Sequence, residues 1–209
     1  MKKHIIGAAV EELYRCFDVM NGLFYDNELP EPIILIQKGK KNVFGTCSTK
    51  KIWSPSDKEE ATDEEKMYEI TLVADNLNRP VEEIVGTLAH EMVHYFNLYR
   101  GIKGAKSRKH NDAFKNEAER IGLICSEEEG IGWGITEVGE GLATEIRNTI
   151  KPNAEVFKYF RYIPTKERKK TNKPPMKKYK CPKCDIEIKG KEGLDIICND
   201  CKSTFIELS

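Results

Sequence analysis

The protein has 209 residues, a length sufficient for one medium domain and a small second module. Its 34 basic and 34 acidic side chains give a formal net charge of zero. This composition excludes a fibrous or largely disordered chain, and no apolar stretch approaches the ~20 residues of a membrane-spanning helix. The first residues lack the apolar segment of a secretory signal, so we expect a cytoplasmic protein without a membrane partner. Its seven cysteines would then stay reduced, which favours metal binding over disulfides.

The N-terminal third predicts one helix and three short strands. Strands are expected at 33–36, 43–48 and 68–73, with a turn at 39–42 joining the first two in a hairpin. The segment 57–65 carries six acidic residues and is expected to be a solvated loop. The helix comes first and is amphipathic, with apolar residues at three- and four-residue spacings: Val10, Leu13, Phe17, Met20, Leu23 and Phe24.

A long helix follows the third strand. Asn78 is a candidate cap, Pro80 suits the first turn and Gly101 ends the helix. Another helix is expected from His110 or Asn111 to Gly122. After that, a glycine-rich loop at 130–141 and a short helix at 154–162 are predicted.

Two histidines on the long helix carry the predicted chemistry. His90 and His94 are four residues apart, so both imidazoles face one side and can bind one metal ion. Glu91 lies on the adjoining flank. In this His-Glu-x-x-His pattern the metal is zinc, which lowers the pKa of a bound water toward ~7 and polarises the scissile carbonyl. Glu91 is predicted to be the catalytic residue, taking a proton from the water and later protonating the leaving amine.

A catalytic zinc ion needs a third protein ligand beside its open position. Our candidate is His110, because the chain has only four histidines and His4 lies at the terminus. Two glycines in the connection from His94 allow the chain to reverse and bring His110 back. The alternative ligand is an acidic residue of the next helix, Glu117 or Glu119. If His110 binds no metal, it is a polar helix cap.

Two Cys-x-x-Cys pairs, separated by thirteen residues, lie near the C-terminus. Four thiolates complete a tetrahedral shell, so they predict a structural zinc ion that supplies much of the folding energy of this short segment. A redox role would explain one such pair but not two. The predicted ligands are Cys181, Cys184, Cys198 and Cys201. The other cysteines are expected to be buried small apolar residues: Cys16, Cys47 and Cys125.

Several short motifs occur together between about Glu12 and Tyr162. They are Phe24 to Pro30, Phe44-Gly45-Thr46 followed by Trp53, Thr87 to His94, His110 to Phe114, and Gly122-Leu123. With these motifs the chain resembles the SprT-like metallopeptidases, the family related to Spartan. The resemblance implies a gluzincin-type protease with His90, His94 and His110 as zinc ligands and Glu91 as the catalytic residue. It also implies that the substrate is protein crosslinked to DNA, and a zinc ribbon often follows the protease domain in such proteins.

Positive charge is concentrated before the cysteine pairs. Residues 151–180 contain eleven Lys or Arg and only two Glu, and the stretch includes Pro174-Pro175. We therefore divide the chain into a metallopeptidase domain at 1–164, a basic linker at 165–180 and a four-cysteine zinc ribbon at 181–209. Linker and ribbon together are predicted to bind DNA through its phosphates, which would make the protein DNA-associated in the cell. A merely solvated linker is the alternative.

The predicted fold class is α+β: a helical zincin-type core, a small antiparallel sheet and the C-terminal ribbon. The favoured function is a zinc-dependent protease acting on DNA-bound or DNA-crosslinked proteins, and the sheet edge carrying Gly45 and Thr46 is expected to align its substrate. A non-catalytic DNA-binding or scaffolding protein with two structural zinc ions is an alternative, as is a hydrolase of a non-peptide bond. Glu91 favours the protease, since a structural site has no use for a carboxylate beside an open metal position.

Overall fold

The computed structural model describes residues 4–40, 42–56, 61–104, 109–162 and 176–208. The chain divides into two compact units, Met1–Ile163 and Pro164–Ser209. The fold is α+β, as predicted. None of the helices in the described ranges is long and apolar enough to cross a membrane.

The first unit begins with the predicted amphipathic helix, α1 (Ile5–Tyr25). Leu13, Phe17 and Met20 are fully buried, as their spacing indicates, whereas Leu23 is largely exposed. The helix ends at Asp26, whose left-handed backbone conformation stops the helical repeat. The buried side of α1 belongs to one hydrophobic core that also includes the long second helix.

A three-stranded sheet follows, made of β1 (Ile33–Gln37), β2 (Gly45–Cys47) and β3 (Glu69–Val73). The predicted β1–β2 hairpin is wrong: the strand order is β1-β3-β2, with β1 parallel and β2 antiparallel to β3. The small sheet is therefore mixed rather than antiparallel. Strand β3 takes the centre because its last four residues are buried, whereas β2 is short and half-exposed. Part of the acidic loop prediction, residues 57–60, lies outside the described residues.

The long helix α2 (Val81–Tyr99) crosses the core beside the sheet. Pro80, rather than Asn78, precedes its first residue, and Gly101 follows its end with a positive φ. Its apolar face is buried as predicted. The fully or nearly fully buried residues of α2 include Ile84, Val85, Leu88, Met92 and Val93.

The next elements are α3 (Asp112–Arg120), β4 (Leu123–Glu128) and β5 (Gly132–Val138). The loop predicted at 130–141 is wrong, because β4 and β5 pair as an antiparallel hairpin. A helix that we did not predict follows: α4 (Glu140–Glu145) continues into a π-helical turn at Ile146–Ile150. The helix predicted at 154–162 is only the 3-10 turn Ala154–Phe157.

In the described residues of the second unit, 176–208, the regular elements are short strands. β6 (Lys177–Lys180) lies between β7 (Glu187–Gly190) and β10 (Ile206–Leu208), while β8 (Ile197–Cys198) pairs with β9 (Ser203–Thr204). Residues 177–180, which the sequence analysis assigned to the end of the linker, form the strand β6. The linker residues 165–175 lie outside the described part of the chain. This arrangement, with four cysteines brought together, is compatible with a zinc ribbon.

Candidate metal centres

The helix α2 presents two histidines to one side. His90 and His94 are one helical turn apart, and their ring centroids are 5.0 Å from each other. Both residues are half-buried, at the side of α2 that is turned toward α3 and β5. The four-residue spacing thus produces the shared orientation expected from the sequence.

His110 joins this pair from the chain segment before α3. Its Nε2 atom lies 3.0 Å from Nε2 of His94 and 3.2 Å from Nε2 of His90. Three nitrogens bound tetrahedrally to one zinc ion at 2.0–2.1 Å would be about 3.3 Å apart. The three Nε2 atoms therefore converge on one point with spacings that fit a zinc ion.

The residue after His110 accounts for the helix cap. Asn111 accepts a hydrogen bond from the backbone N–H of Phe114 through its side chain, which caps α3. Asn111, and not His110, therefore caps α3, so helix capping does not explain the histidine at position 110. The Phe114 ring packs on all three histidines, with ring centroids 4.5–4.8 Å from theirs.

The acidic alternatives for the third ligand lie elsewhere. Glu117 binds Arg120 at 2.6 Å, and Glu119 lies 3.9 Å from Lys115 on the same helix. Neither glutamate belongs to a group of potential metal ligands among the residues that the structure describes.

The β4–β5 hairpin holds His110 in place. The backbone N–H of His110 donates to the carbonyl oxygen of Ile131, and the N–H of Trp133 donates to the carbonyl oxygen of His110. The imidazole Nδ1 lies 3.2 Å from the same Ile131 oxygen. Because a carbonyl can only accept, this contact favours a proton on Nδ1 and leaves the Nε2 lone pair for the cluster.

A second contact from the hairpin reaches His90. Its Nδ1 atom is 2.8 Å from the hydroxyl oxygen of Thr136 on β5. Sequence reasoning did not select Thr136, because the segment was interpreted as a loop. The available signal was the β-branched residues Ile135, Thr136 and Val138, which the neighbouring glycines obscured.

Burial keeps the three imidazoles neutral. It lowers the pKa of His94 to about 3, with a smaller contribution from the neighbouring His110. The pKa of His90 is lowered by burial and by both other histidines, and that of His110 by burial against the opposing effect of its hydrogen bond to Ile131. Neutral imidazole is the form that binds metal.

Glu91 lies beside the cluster and is buried, with only 4% of its surface exposed. Burial raises the pKa of this carboxyl to about 8. The edge strand β2 approaches this carboxyl closely: a β-carbon at Gly45 would lie 2.8 Å from Oε1 of Glu91 and 2.9 Å from Thr87. The structure therefore places the buried carboxyl group of the residue after His90 against the edge strand of the sheet.

Comparison with known protein families gives a match to the SprT-like family over residues 13–129, more than half of the chain. The chain belongs to the SprT-like family. Searches of curated proteins and of solved structures gave no match. The SprT-like match includes Glu91 and the three histidines, but it ends before Thr136 and before the C-terminal cysteines.

A second candidate metal site lies beyond the SprT-like region. The sulfur atoms of its four cysteines are all within 4.8 Å of one another: Cys181, Cys184, Cys198 and Cys201. Cys184 and Cys198 are 3.7 Å apart through their sulfurs, close to the about 3.8 Å expected for thiolates 2.3 Å from a tetrahedral zinc ion. The donor set therefore fits zinc.

Hydrogen bonding favours the thiolate form at one of these four cysteines, Cys181, whereas the pKa values of Cys184 and Cys201 are raised. The hydroxyl of Ser203 lies 3.4 Å from the sulfur of Cys181, and this contact is the main cause that lowers the pKa of Cys181 to about 6. A lowered pKa favours the deprotonated form that binds metal.

The three cysteines of the SprT-like unit belong to no metal cluster in the described residues. Cys16 is fully buried as predicted, whereas Cys47 and Cys125 are only half-buried. Burial raises the pKa of Cys16 to about 12, and it also raises those of Cys47 and Cys125. All three thiols are therefore poor nucleophiles at neutral pH.

Proposed function

We propose that this SprT-like protein is a zinc-dependent peptidase in which His90, His94 and His110 hold the catalytic zinc ion. The observation that supports this most strongly is the convergence of the three Nε2 atoms next to the buried Glu91. A site with three imidazole ligands keeps one position open for water or substrate, which distinguishes it from a closed structural site.

Zinc bound to the three histidines would polarise the carbonyl oxygen of a peptide and lower the pKa of a water molecule toward ~7. Glu91 is the base that takes the proton of this attacking water and then delivers it to the leaving amine. Burial makes Glu91 a stronger base than an exposed glutamate, while the charge of a bound cation acts in the opposite direction.

The substrate is proposed to bind as an added strand along β2. The carbonyl of Phe44 accepts from the N–H of Val73, and the N–H of Ser48 donates to the carbonyl of Glu69. Between them, Thr46 is opposite Thr71. By the alternation of an antiparallel ladder, the N–H and C=O groups of Gly45 and Cys47 point away from β3. This edge is unpaired within the described residues. An extended peptide bonded to Gly45 would therefore lie next to Glu91.

We further propose that the substrates are proteins bound or crosslinked to DNA, as the family resemblance implies. Charge supports a DNA contact mainly in residues 164–175, which contain five Lys or Arg and one Glu. The ribbon itself is nearly neutral, with seven lysines and six acidic residues between 176 and 209. Two of its lysines are already paired, Lys177 with Glu207 at 3.7 Å and Lys180 with Asp185 at 2.9 Å.

In the second unit, a structural zinc ion held by the four cysteines is proposed to stabilise the fold. The unit has few buried apolar side chains, so the free energy of metal binding would supply much of its folding free energy. A ribbon stabilised by metal would then be a folded module that directly follows, in the sequence, the basic segment proposed to bind DNA.

The test compares the wild-type protein with Glu91→Gln and with the control Glu83→Gln, an exposed glutamate of the same helix. Zinc per chain and cleavage of a DNA-bound basic protein are measured with and without DNA. We expect two zinc ions in every variant, cleavage by the wild type and by Glu83→Gln, and a large loss of cleavage in Glu91→Gln alone. Equal cleavage by Glu91→Gln, or none by the wild type, would favour the non-catalytic scaffolding function.

Deleting residues 165–209 separates the DNA contact from the chemistry. The truncated protein is expected to cleave a short free peptide but to lose salt-sensitive DNA affinity. Unchanged DNA affinity after this deletion would contradict the DNA contact while leaving the peptidase proposal intact.

A further inference from the structure

Strand β5 places one polar side chain against a histidine of the candidate catalytic site. Alternate residues of this strand face the same side, and three of them contact the site or its helix. A β-carbon at Gly134 would lie 2.6 Å from Nδ1 of His110, and one at Gly86 of α2 would meet the side chain of Val138. Thr136 stands between Gly134 and Val138 and contacts His90.

The contact is a hydrogen bond of 2.8 Å between Nδ1 of His90 and the Thr136 hydroxyl oxygen. His90 is the residue of α2 one turn after Gly86, against which β5 packs. The antiparallel register of the hairpin fixes the position of Thr136 relative to β4 by pairing it with Cys125. The packing of β5 on α2 therefore determines the position of the hydroxyl relative to the imidazole.

We propose that Thr136 is a positioning residue for the metal: it accepts the Nδ1–H of His90 and directs Nε2 of this ring toward His94 and His110. The inference rests on the proposed metal site and concerns how that site is built. When Nε2 binds a metal ion, a neutral imidazole must carry its proton on Nδ1, and the hydroxyl then acts as acceptor. Because rotation of the ring would break this bond, Thr136 restrains the ring in the orientation that binds metal.

The arrangement couples metal affinity to the β4–β5 hairpin. The Ile131 carbonyl restrains His110 in the same way, but as a backbone group it cannot be removed by substitution. Thr136 contributes through a side chain, so its hydroxyl can be deleted with little change in volume. Removal of such outer hydrogen bonds typically weakens metal binding ~10–100-fold.

The experiment uses the full chain with Thr136→Val, which deletes the hydroxyl, and Thr136→Ser, which keeps it. Ile135→Val is the control on the exposed side of the same strand. Zinc affinity is measured by competition with a chromophoric chelator. Cobalt substitution separates the two sites, since only the cysteine site gives thiolate charge-transfer absorption. Thermal unfolding of the metal-free protein reports whether each variant folds.

We expect Thr136→Val to weaken zinc binding at the histidine site ~10–100-fold, with Thr136→Ser and Ile135→Val close to the wild type. The cysteine site should be unchanged in all of them. Equal affinity of Thr136→Val and the wild type would overturn the proposal. So would equal losses in Thr136→Val and Thr136→Ser, which would indicate packing rather than the hydroxyl. If Thr136→Val does not fold, Thr136→Ser decides alone. This variant keeps the hydroxyl, so weakened zinc binding in it would overturn the proposal.

A wild-type protein that binds metal only at the cysteine site would contradict the proposed peptidase function itself. In that case the inference about Thr136 falls with it. The two failures are therefore distinguishable, because the first shows a metal-loaded histidine site that is insensitive to Thr136.

Discussion

Gly45 of the edge strand lies directly against Glu91 of α2. A β-carbon at position 45 would come within 2.8 Å of Oε1 and 2.9 Å of Cγ of Glu91. These separations are shorter than van der Waals contact, so a larger residue would displace either the strand or the carboxyl group. The glycine thus permits the sheet edge and the base of the proposed reaction to approach each other closely.

Gly45→Ala is expected to impair cleavage while leaving metal binding intact, because the three atoms nearest to the added methyl group belong to Glu91 and Thr87. The strain of an overpacked site is about 1–3 kcal/mol, part of which would appear as lost stability. The measurement is kcat/KM on a short peptide together with zinc per chain and the urea midpoint.

The matched control is Gly141→Ala in α4, where a β-carbon would meet nothing within 4 Å. Alanine favours helix over glycine by about 1 kcal/mol, so this variant should be slightly more stable and fully active. Full activity in Gly45→Ala would show that the edge strand can shift without moving Glu91.

Gly134→Ala should weaken zinc binding at the histidine site rather than disturb Glu91, the proposed base. Its β-carbon would lie 2.6 Å from Nδ1 and 2.8 Å from Cε1 of His110, so the ring would have to leave its present position in the cluster. We expect the variant to retain the cysteine-bound zinc ion and to lose or weaken the other. Zinc titration with a chelator measures this loss. Two zinc ions bound as tightly as in the wild type would contradict the assigned geometry.

The helical part of the site could be predicted from sequence because it depends on local periodicity. His90 and His94 share one side of α2 wherever that helix packs, and the glycines before His110 permit the chain to return. The pairing of β1 with β3 could not be predicted in this way, because it joins residues 36 positions apart and depends on which strand is most buried.

The hairpin that contacts His90 and His110 was missed for a physical reason. Glycine is usually a sign of a turn, but Gly134 lies within a strand, where His110 occupies the space of a side chain. The β-branched residues Ile135, Thr136 and Val138 were consistent with a strand, but the glycines at 130, 132, 134, 139 and 141 outweighed them in the sequence interpretation. Thr136 could therefore be assigned only from tertiary structure.

The pH dependence of stability can be tested at Glu12 of α1. Partial burial would raise the pKa of Glu12, but hydrogen bonds from Arg15 and from the backbone N–H of Asn153 outweigh burial and lower it. A carboxyl whose pKa is lowered by folding stabilises the protein above its unfolded-state pKa, here 4.5, and the contribution is lost as the pH falls through the folded-state value.

Glu12→Gln should therefore lower the urea midpoint at pH 7 and have a smaller effect at acidic pH, where wild-type Glu12 is itself protonated. Glu11→Gln, on an exposed side chain next to it, is the comparison. A difference between Glu12→Gln and the wild type that is constant from pH 7 to below the folded-state pKa would mean that the charge of Glu12 contributes nothing.

Cys198→Ser tests whether the two candidate metal sites are independent. Cys198 is almost fully buried, and replacing its thiolate leaves three sulfur ligands, so we expect one zinc ion fewer per chain and loss of the folded ribbon. The histidine cluster lies in the other unit, so cleavage of a short free peptide should persist. The measurements are zinc per chain, limited proteolysis of residues 176–208 and kcat/KM on the peptide. Loss of peptide cleavage together with the ribbon would show instead that the ribbon supports the catalytic unit directly.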